Sequence, residues 1–218
     1  MMAATALVFI PNDAEAADTN NDWFTAIPGA PVNTFFYDVA WSDDGKLACF
    51  VGEALGSVGV IYFYQPAGDV WTKATLAGGG DLYSYPMKTV TYCPNSWNGP
   101  KFFVAGGTGG AGYVYWAAGP GIDVQWSSSG MFNGVTVWDS VCNPAIGSMG
   151  SIYACANSAG ELRMVEIVLS SGGFNMKSSL VLTSHYWRGI EVDPVSNDLY
   201  MVGNNAVGAI YHRFRYSD

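Results

Sequence analysis

Charge is scarce in this chain of 218 residues. Asp, Glu, Lys and Arg make up 12% of it, about half the fraction usual in globular domains. The charge that is present is mostly acidic, with a formal net charge of −9. No basic cluster occurs, so nucleic acid finds no electrostatic footprint, and an anionic membrane surface would repel the chain. We therefore expect neither nucleic acid nor a membrane as a partner.

Long apolar runs and metal-ligand spacings are also lacking. No run approaches the roughly 20 apolar residues that a membrane span needs. The N-terminal MMAATALVFIPNDAEAAD has no positive charge before its short apolar stretch, so we predict neither a signal peptide nor a transmembrane segment. The chain has two histidines, four cysteines and no Cys-x-x-Cys pair. The sequence therefore predicts no metal site and no cofactor.

The cysteines leave one alternative open. Cys142 and Cys155 fall on two neighbouring predicted strands, so a disulfide between them is geometrically conceivable. The favoured interpretation is that all four cysteines are small buried side chains in a protein assembled in a reducing compartment.

The composition points to an all-β fold. Half of the residues are hydrophobic, 15% are aromatic, and 27 glycines punctuate the chain. No segment shows sustained helical periodicity. A chain of this size is long enough for one domain that buries about 70% of its unfolded surface. We expect a single all-β domain with many tight connections.

A four-strand pattern recurs about every fifty residues. Its first strands begin at Val39, Val90, Val141 and Ile190. Second strands are predicted at 47–51, 102–105, 152–156 and 199–202, and third strands at 60–64, 113–116, 162–168 and 209–214. Fourth strands contain Trp71, Trp126 and Met176. Four short strands at a period of about 40–50 residues are typical of β-propeller blades.

The last unit has no fourth strand of its own before Asp218. The segment Asn21–Thr25, NDWFT, resembles GDVWT at 68–72, and Trp23 precedes Trp71 by one period. We therefore predict a β-propeller of four blades, each with four antiparallel strands, over residues 21–218. The N-terminal strand completes the C-terminal blade, and residues 1–20 form an arm or an extra strand. Two rivals remain: an additional partial blade built on residues 5–10 and completed by another chain, and an open array that closes only in an assembly.

Several segments resemble known propeller repeats. GIEVDPVSNDLYMVGNN is similar to repeats of the NHL, YWTD and YVTN kinds, and WSDDGKLACFVGE resembles the same strand-turn-strand unit. Gly68-Asp69-Val70-Trp71 resembles the end of the Asp-box of sialidase-like propellers, without its Ser-x-Asp part. NNDWFTAIPGAPVNTFFYDVAW resembles propeller segments of phage virions and bacterial surface proteins. These resemblances imply a fold more than a function, because propellers carry many activities.

One regularity marks a candidate ligand or partner site. Three positions before the start of each first strand stand Phe36, Met87, Trp138 and Trp187. We predict a ring of large apolar side chains at the mouth of the central channel, where aromatic faces suit a sugar or an apolar partner. The alternative is that the ring packs between blades. The neighbouring candidates are Tyr85, Tyr186 and His185.

Other motifs carry less chemistry. The glycine-rich run 106–112 precedes a strand rather than a helix, so it is not a phosphate loop. Asp43-Asp44, with Asp193 and Asp198, could hold calcium, but aspartates in tight turns are favoured for backbone reasons. No Ser-His-Asp or Cys-His arrangement is evident. The loop carboxylates Glu53, Asp81, Asp139 and Glu161 would suit a glycosidase, yet nothing selects a pair, so no catalytic residue is predicted.

The sequence thus predicts a non-enzymatic binding or structural propeller. Our leading hypothesis is an assembly component of a virion (a phage tail or capsid-associated protein) or of a cell surface. It would dock other protein chains, including further copies of itself. The alternative is a lectin-like propeller that binds carbohydrate, and a glycosidase comes third.

Overall fold

The structure is a computed structural model. It describes residues 27, 29–30, 33–56, 58–74, 86–95, 101–108, 111–117, 125–127, 135–143, 151–158, 161–170, 173–183 and 185–215. These residues form an all-β fold of four small antiparallel sheets. No helix among them is long and apolar enough to cross a membrane. The predicted arm at 1–20 and the strand at 21–25 lie outside the described residues.

Each sheet is built from strands that follow one another in the chain. Sheet 1 contains β1 (Phe35–Trp41), β2 (Ala48–Ala54), β3 (Val58–Gln65) and β4 (Val70–Lys73). Sheet 2 contains β5 (Met87–Cys93), β6 (Lys101–Thr108), β7 (Ala111–Ala117) and β8 (Gln125–Ser127). Sheet 3 contains β9 (Val135–Asn143), β10 (Ser151–Ser158), β11 (Glu161–Ser170) and β12 (Gly173–Thr183). Sheet 4 contains β13 (His185–Val192), β14 (Leu199–Asn205) and β15 (Ala209–Phe214). The predicted all-β class and strand order are confirmed.

The β1–β2 and β13–β14 turns use aspartate for backbone purposes. Asp44 Oδ1 accepts hydrogen bonds from Ser42 Oγ at 2.7 Å and from the Lys46 amide at 3.1 Å. Asp193 Oδ1 accepts one from the Val195 amide at 2.9 Å. These contacts lower the pKa of Asp44 to about 2, with the Ser42 hydroxyl as the largest cause. Both carboxylates serve as turn acceptors.

The first strand of every sheet contains a β-bulge near its beginning. The bulged residues are Tyr37, Lys88, Trp138 and Arg188. In sheets 1 and 2 the second strand places a glycine opposite the residue before the bulge: Gly52 faces Phe36 and Gly106 faces Met87. A Cβ at Gly52 would overlap the Phe35 carbonyl, and one at Gly106 would overlap the Pro86 carbonyl. The close approach of the two strands therefore requires glycine there.

Consecutive sheets pack through their first two strands. β1 contacts β5, β5 contacts β9, and β9 contacts β13. One core cluster joins sheets 1 and 2 and includes Ile61, Phe63, Met87 and Phe102. Another joins sheets 3 and 4 through Tyr153, Cys155, Ile190 and Met201.

The outward faces of sheets 1 and 4 keep exposed apolar side chains. On sheet 1, aromatic rings follow one another, with Tyr64 and Trp71 4.5 Å apart and Trp41 beside Tyr64. Trp41 is 44% exposed. On sheet 4, Val202 and Tyr211 pair across β14 and β15 and are 53% and 76% exposed. Each of these faces retains apolar area that is open to another surface.

All four cysteines are free and buried. In the β9–β10 register Cys142 faces Ile152, while Cys155 faces Asp139. The two thiols are therefore not bonded, in agreement with the favoured interpretation.

Candidate functional site

Two partly buried aspartates tie the first strands together. Asp38 and Asp139 stand directly after the bulges of β1 and β9. The Oδ1 atom of Asp38 accepts from the Val39 amide at 2.8 Å, and its Oδ2 accepts from the Val90 amide of sheet 2 at 2.8 Å. Asp38 therefore bonds to its own strand and to the next sheet at once.

Asp139 repeats this arrangement one hundred and one positions later. Its Oδ1 accepts from the Ser140 amide at 2.8 Å, and its Oδ2 accepts from the Ile190 amide of sheet 4 at 2.9 Å. Every carboxylate oxygen of the two aspartates thus accepts one main-chain N–H. Such charge-assisted bonds are stronger than neutral ones, so the pair holds sheet 1 to sheet 2 and sheet 3 to sheet 4.

Thr89 connects the two aspartates. Its hydroxyl oxygen lies 3.1 Å from Asp38 Oδ2, 3.4 Å from Asp139 Oδ1 and 2.9 Å from Ser140 Oγ. Residues from β1, β5 and β9 therefore meet at one atom, and Asp139 carries the connection on to β13. We call Asp38, Thr89, Asp139 and Ser140 the hub cluster.

Burial disfavours the charged form of both aspartates. Desolvation raises the pKa of Asp38, partly offset by its bonds to the Val90 and Val39 amides. For Asp139 desolvation is again the largest cause, and the negative charge of Asp38 adds to it, so that the pKa of Asp139 rises to about 6. The Ile190 and Ser140 amides oppose this rise without cancelling it, and a proton donated by Thr89 to Asp139 would oppose it as well.

The bulged residues form pairs across two of the sheet junctions. The Lys88 ammonium lies 3.5 Å from the centroid of the Tyr37 ring, and it also lies 3.7 Å from Glu53 Oε2. The Arg188 guanidinium lies 4.1 Å from the centroid of the Trp138 ring. Both arrangements are cation–π contacts. The junctions of sheet 1 with sheet 2 and of sheet 3 with sheet 4 therefore share one design.

The junction of sheet 2 with sheet 3 is built differently. Thr89 occupies the position that aspartate takes in sheets 1 and 3, and its hydroxyl meets that of Ser140. The Cys142 amide donates to Thr91 Oγ1 at 3.2 Å. In sheet 4 the corresponding position is Gly189. An aspartate-to-amide bond thus joins sheet 1 to sheet 2 and sheet 3 to sheet 4, whereas at the junction of sheets 2 and 3 Asp139 contacts the Thr89 hydroxyl instead.

The predicted ring is only partly a surface feature. Phe36 is buried among Phe50 and Tyr62, each with its ring centroid 6.0 Å away. Met87 is fully buried in the core between sheets 1 and 2. Neither side chain has an exposed face, because both pack against residues of sheet 1. At these two positions the burial favours the alternative, in which the large apolar side chains pack inside the fold.

Trp138 does not stand level with Phe36 and Met87. The residue that occupies their position in sheet 3 is Val137, because Trp138 is itself the bulged residue. Trp138 is partly buried against the core of sheets 3 and 4. Its Nε1 is buried with no hydrogen-bond partner among the described residues.

The other candidates lie at the start of β13 or outside the description. Tyr186 is 49% exposed. His185 and Trp187 belong to β13, but their side chains lie outside the described part of the chain, as does Tyr85. Among the described side chains of the predicted set, Tyr186 is thus the exposed one.

Sequence reasoning missed exposed aliphatic side chains at two equivalent turns. The β2–β3 turn carries Leu55, 75% exposed, next to Val58, and the β14–β15 turn carries Val207, 96% exposed. β13 begins opposite the end of β14, where His185 pairs with Asn205. Tyr186 and Val207 therefore lie at one end of sheet 4. The signal was visible in the sequence, since aliphatic residues are unusual at the tips of tight turns.

The carboxyl groups of the hub cluster can bind protons, and they accept hydrogen bonds from backbone amides. Among the described residues no group of three or more His, Cys, Asp or Glu could hold a metal ion. Of the carboxylates considered for a glycosidase, Asp139 belongs to the hub cluster and Glu53 to the Lys88 pair, while Asp81 and the Glu161 side chain lie outside the description. Comparison with models of known protein families gives no match, and comparison with curated protein sequences gives none.

Proposed function

We propose that the protein is a non-enzymatic assembly module that docks protein chains, foremost further copies of itself, through the apolar turn tips. The observation that carries this proposal is the exposure of Leu55 and Val207 at equivalent turns of sheets 1 and 4. Aliphatic tips bury apolar area against a protein surface. They lack the flat ring on which a sugar stacks. A component of a virion or cell-surface assembly has this kind of surface.

The proposed scaffold is a closed four-bladed propeller. The alternation of junctions supports closure, because a contact between sheet 4 and sheet 1 would be of the kind without an aspartate-to-amide bond. Gly189 offers no side-chain acceptor there, and the Val39 amide already donates to Asp38 of its own strand. The exposed outward faces of sheets 1 and 4 would then cover each other, and residues 21–25 would pair with β15.

Absolute mass in solution tests the docking proposal. Light scattering at micromolar concentration, at low and high salt, should give a multiple of 23.3 kDa. High salt should leave this mass unchanged, because apolar contacts are not screened by ions. The double variant Leu55→Ser/Val207→Ser should reduce the mass to that of one chain.

Val195→Ser is the matched control. Val195 is 89% exposed but lies in the β13–β14 turn, at the opposite end of sheet 4. This variant should keep the mass of the parent. A parent protein that remains at one chain at every concentration would overturn self-docking.

Hydrogen exchange tests the closed scaffold. If residues 21–25 pair with β15, then the β15 amides that do not bond to β14 should exchange slowly. Deleting residues 1–25 should make them exchange fast, while amides in β5 and β6 stay protected. Fast exchange of those β15 amides in the full chain would contradict closure by this strand.

A lectin remains the second candidate, supported by the half-exposed ring of Tyr186 at the same end. It predicts that Tyr186→Ala abolishes glycan binding while the fold survives. An array of immobilised glycans that captures neither the parent nor the variant would exclude the sugars tested.

A further inference from the structure

The hub cluster has more oxygen–oxygen contacts than hydroxyl protons that could form hydrogen bonds across them. Three O···O contacts of 2.9–3.4 Å meet at Thr89 Oγ1, reaching Asp38, Asp139 and Ser140. Two hydroxyl protons are available, one from Thr89 and one from Ser140. When both aspartates are ionised, one of the three contacts brings two oxygens together with no proton between them.

The distances show which contact lacks the proton. Ser140 can donate to Thr89 across 2.9 Å, and Thr89 can donate to Asp38 across 3.1 Å. This leaves Asp139 Oδ1 at 3.4 Å, facing a lone pair of Thr89. A proton on Asp139 Oδ1 would donate to Thr89, so that each contact would hold one proton and the threonine oxygen would accept two bonds and donate one.

We propose that the hub cluster is a proton-controlled lock, in which uptake of one proton from solvent joins Asp38, Thr89 and Asp139 into a continuous hydrogen-bonded chain and tightens the packing of sheets 1, 2 and 3. The device goes beyond docking, because it acts inside the scaffold and not at the turn tips. Protonation forms the Asp139-to-Thr89 hydrogen bond and removes the repulsion between two partly buried carboxylates. The four backbone amides keep their acceptors.

The groups around the cluster leave the carboxyl pair as its titrating element. Cys155 of β10 faces Asp139, and Cys49 of β2 interacts electrostatically with Asp38. Burial raises the pKa of both thiols, so they stay neutral. Lys88 of β5 is engaged with Glu53 and Tyr37, and Arg188 of β13 lies over Trp138. Burial lowers the pKa of the Lys88 ammonium, and the neighbouring Glu53 carboxylate opposes this shift.

The direction of the pH effect follows from the raised pKa of Asp139, about 6. Between the ordinary aspartate value of about 4 and this value, the folded state binds more protons than the unfolded state. Stability is therefore fully present on the acid side of that window and declines as pH rises through about 6. The turn aspartates Asp44 and Asp193, whose pKa values are lowered, act in the opposite direction and at lower pH.

Urea unfolding of the full chain from pH about 5 to about 7.5 tests the lock. We expect the midpoint of the parent protein to fall most steeply from about pH 5 to about pH 6 and to level off by about pH 7. Asp139→Asn should flatten this dependence. The matched control Asp193→Asn, at an exposed turn, should leave the slope of the parent unchanged over the same range.

Two variants of Thr89 separate the lock from simple burial. Thr89→Ser keeps the hydroxyl and should keep the pH midpoint. Thr89→Val removes the acceptor for the proton of Asp139 and should move that midpoint to lower pH, since protonation loses its hydrogen bond. If burial alone raised the pKa, the valine variant would titrate at the same pH as the parent or higher, and either result would overturn the proposal.

A direct titration covers the case in which the variants fold poorly. Carbon-13 NMR of the aspartate carboxyls in the unmodified protein should show one buried carboxyl that titrates near pH 6. The signal of a second carboxyl should change over the same pH range, because the two titrations are coupled. Two buried carboxyls that stay ionised down to pH about 4 would refute the lock.

Discussion

The guanidinium of Arg188 lies over the indole of Trp138, with 4.1 Å between the guanidinium carbon and the ring centroid. The two residues occupy the same bulge position in consecutive sheets. Lys88 and Tyr37 stand in the same relationship one hundred residues earlier in the chain. The bulge changes the direction of its side chain, and in this direction the side chain contacts the next sheet.

Removal of the Arg188 charge should weaken the junction of sheets 3 and 4. We expect Arg188→Met to lower the free energy of unfolding by about 0.5–2 kcal/mol, because the methionine keeps apolar contact but loses the attraction to the ring. Urea unfolding measures the change. Arg215→Met, at an exposed position just after β15, is the control and should have almost no effect. Equal stability of the Arg188 variant and the parent would show that the contact contributes nothing.

Glycine opposite the bulge should be irreplaceable in sheets 1 and 2. A methyl group at Gly52 would overlap the Phe35 carbonyl, so Gly52→Ala should cost about 2–4 kcal/mol by forcing the strands apart. Gly45 has open space and a φ of +66°, so Gly45→Ala should cost only about 1–2 kcal/mol from backbone strain. Thermal unfolding of both variants gives the comparison. A smaller loss at Gly52 than at Gly45 would contradict the close approach of β1 and β2.

Burial separates core residues of the predicted ring from surface residues. Met87→Ala should destabilise the protein by about 2–5 kcal/mol and Phe36→Ala by about 3–5 kcal/mol, because each leaves a cavity in a packed cluster. Tyr186→Ala, at a half-exposed position, should change stability by less than about 0.5 kcal/mol. Guanidinium unfolding followed by circular dichroism checks all three. If Met87→Ala were as stable as Tyr186→Ala, its burial between sheets 1 and 2 would be disproved.

The cysteines should resist alkylation in the folded protein. Burial raises the pKa of the Cys49, Cys93 and Cys155 thiols, and the thiolate is the reactive form. Iodoacetamide at pH about 8 should label the native chain slowly and the urea-unfolded chain at all four sites. Intact mass spectrometry counts the adducts. Rapid native labelling of Cys49 would show that sheet 1 opens on the timescale of the reaction.

Strand positions were predictable from the sequence because the alternating apolar pattern and the turn residues act locally. Asp44-Gly45 marks the β1–β2 turn, and β15 has the predicted bounds of 209–214. The bulges were not predictable in this way. A bulge adds one residue without changing the composition of a strand. Counting back from Val141 therefore selected Trp138 where the structure places Val137.

The hub cluster was missed for a different reason. Asp139 was considered only as a loop carboxylate, and Asp38 and Thr89 were not considered at all. Their roles depend on which backbone amides of the next sheet come within reach, and that depends on how sheets pack. One signal was available: Asp38, Thr89 and Asp139 are 51 and 50 positions apart, which matches the repeat. A polar residue recurring at the repeat period beside buried strands is a candidate for a bond between units.

The alternation of junctions has a consequence for how such a chain can change its length. The Asp38 carboxylate of sheet 1 accepts a hydrogen bond from the Val90 amide of sheet 2. The corresponding amides of sheets 1 and 3 donate to the aspartate of their own strand. Insertion or loss of a single sheet would bring two like junctions together and leave either a buried carboxylate or a buried amide unmatched. Among the described sheets the repeating unit of these contacts is therefore a pair of sheets, about one hundred residues long.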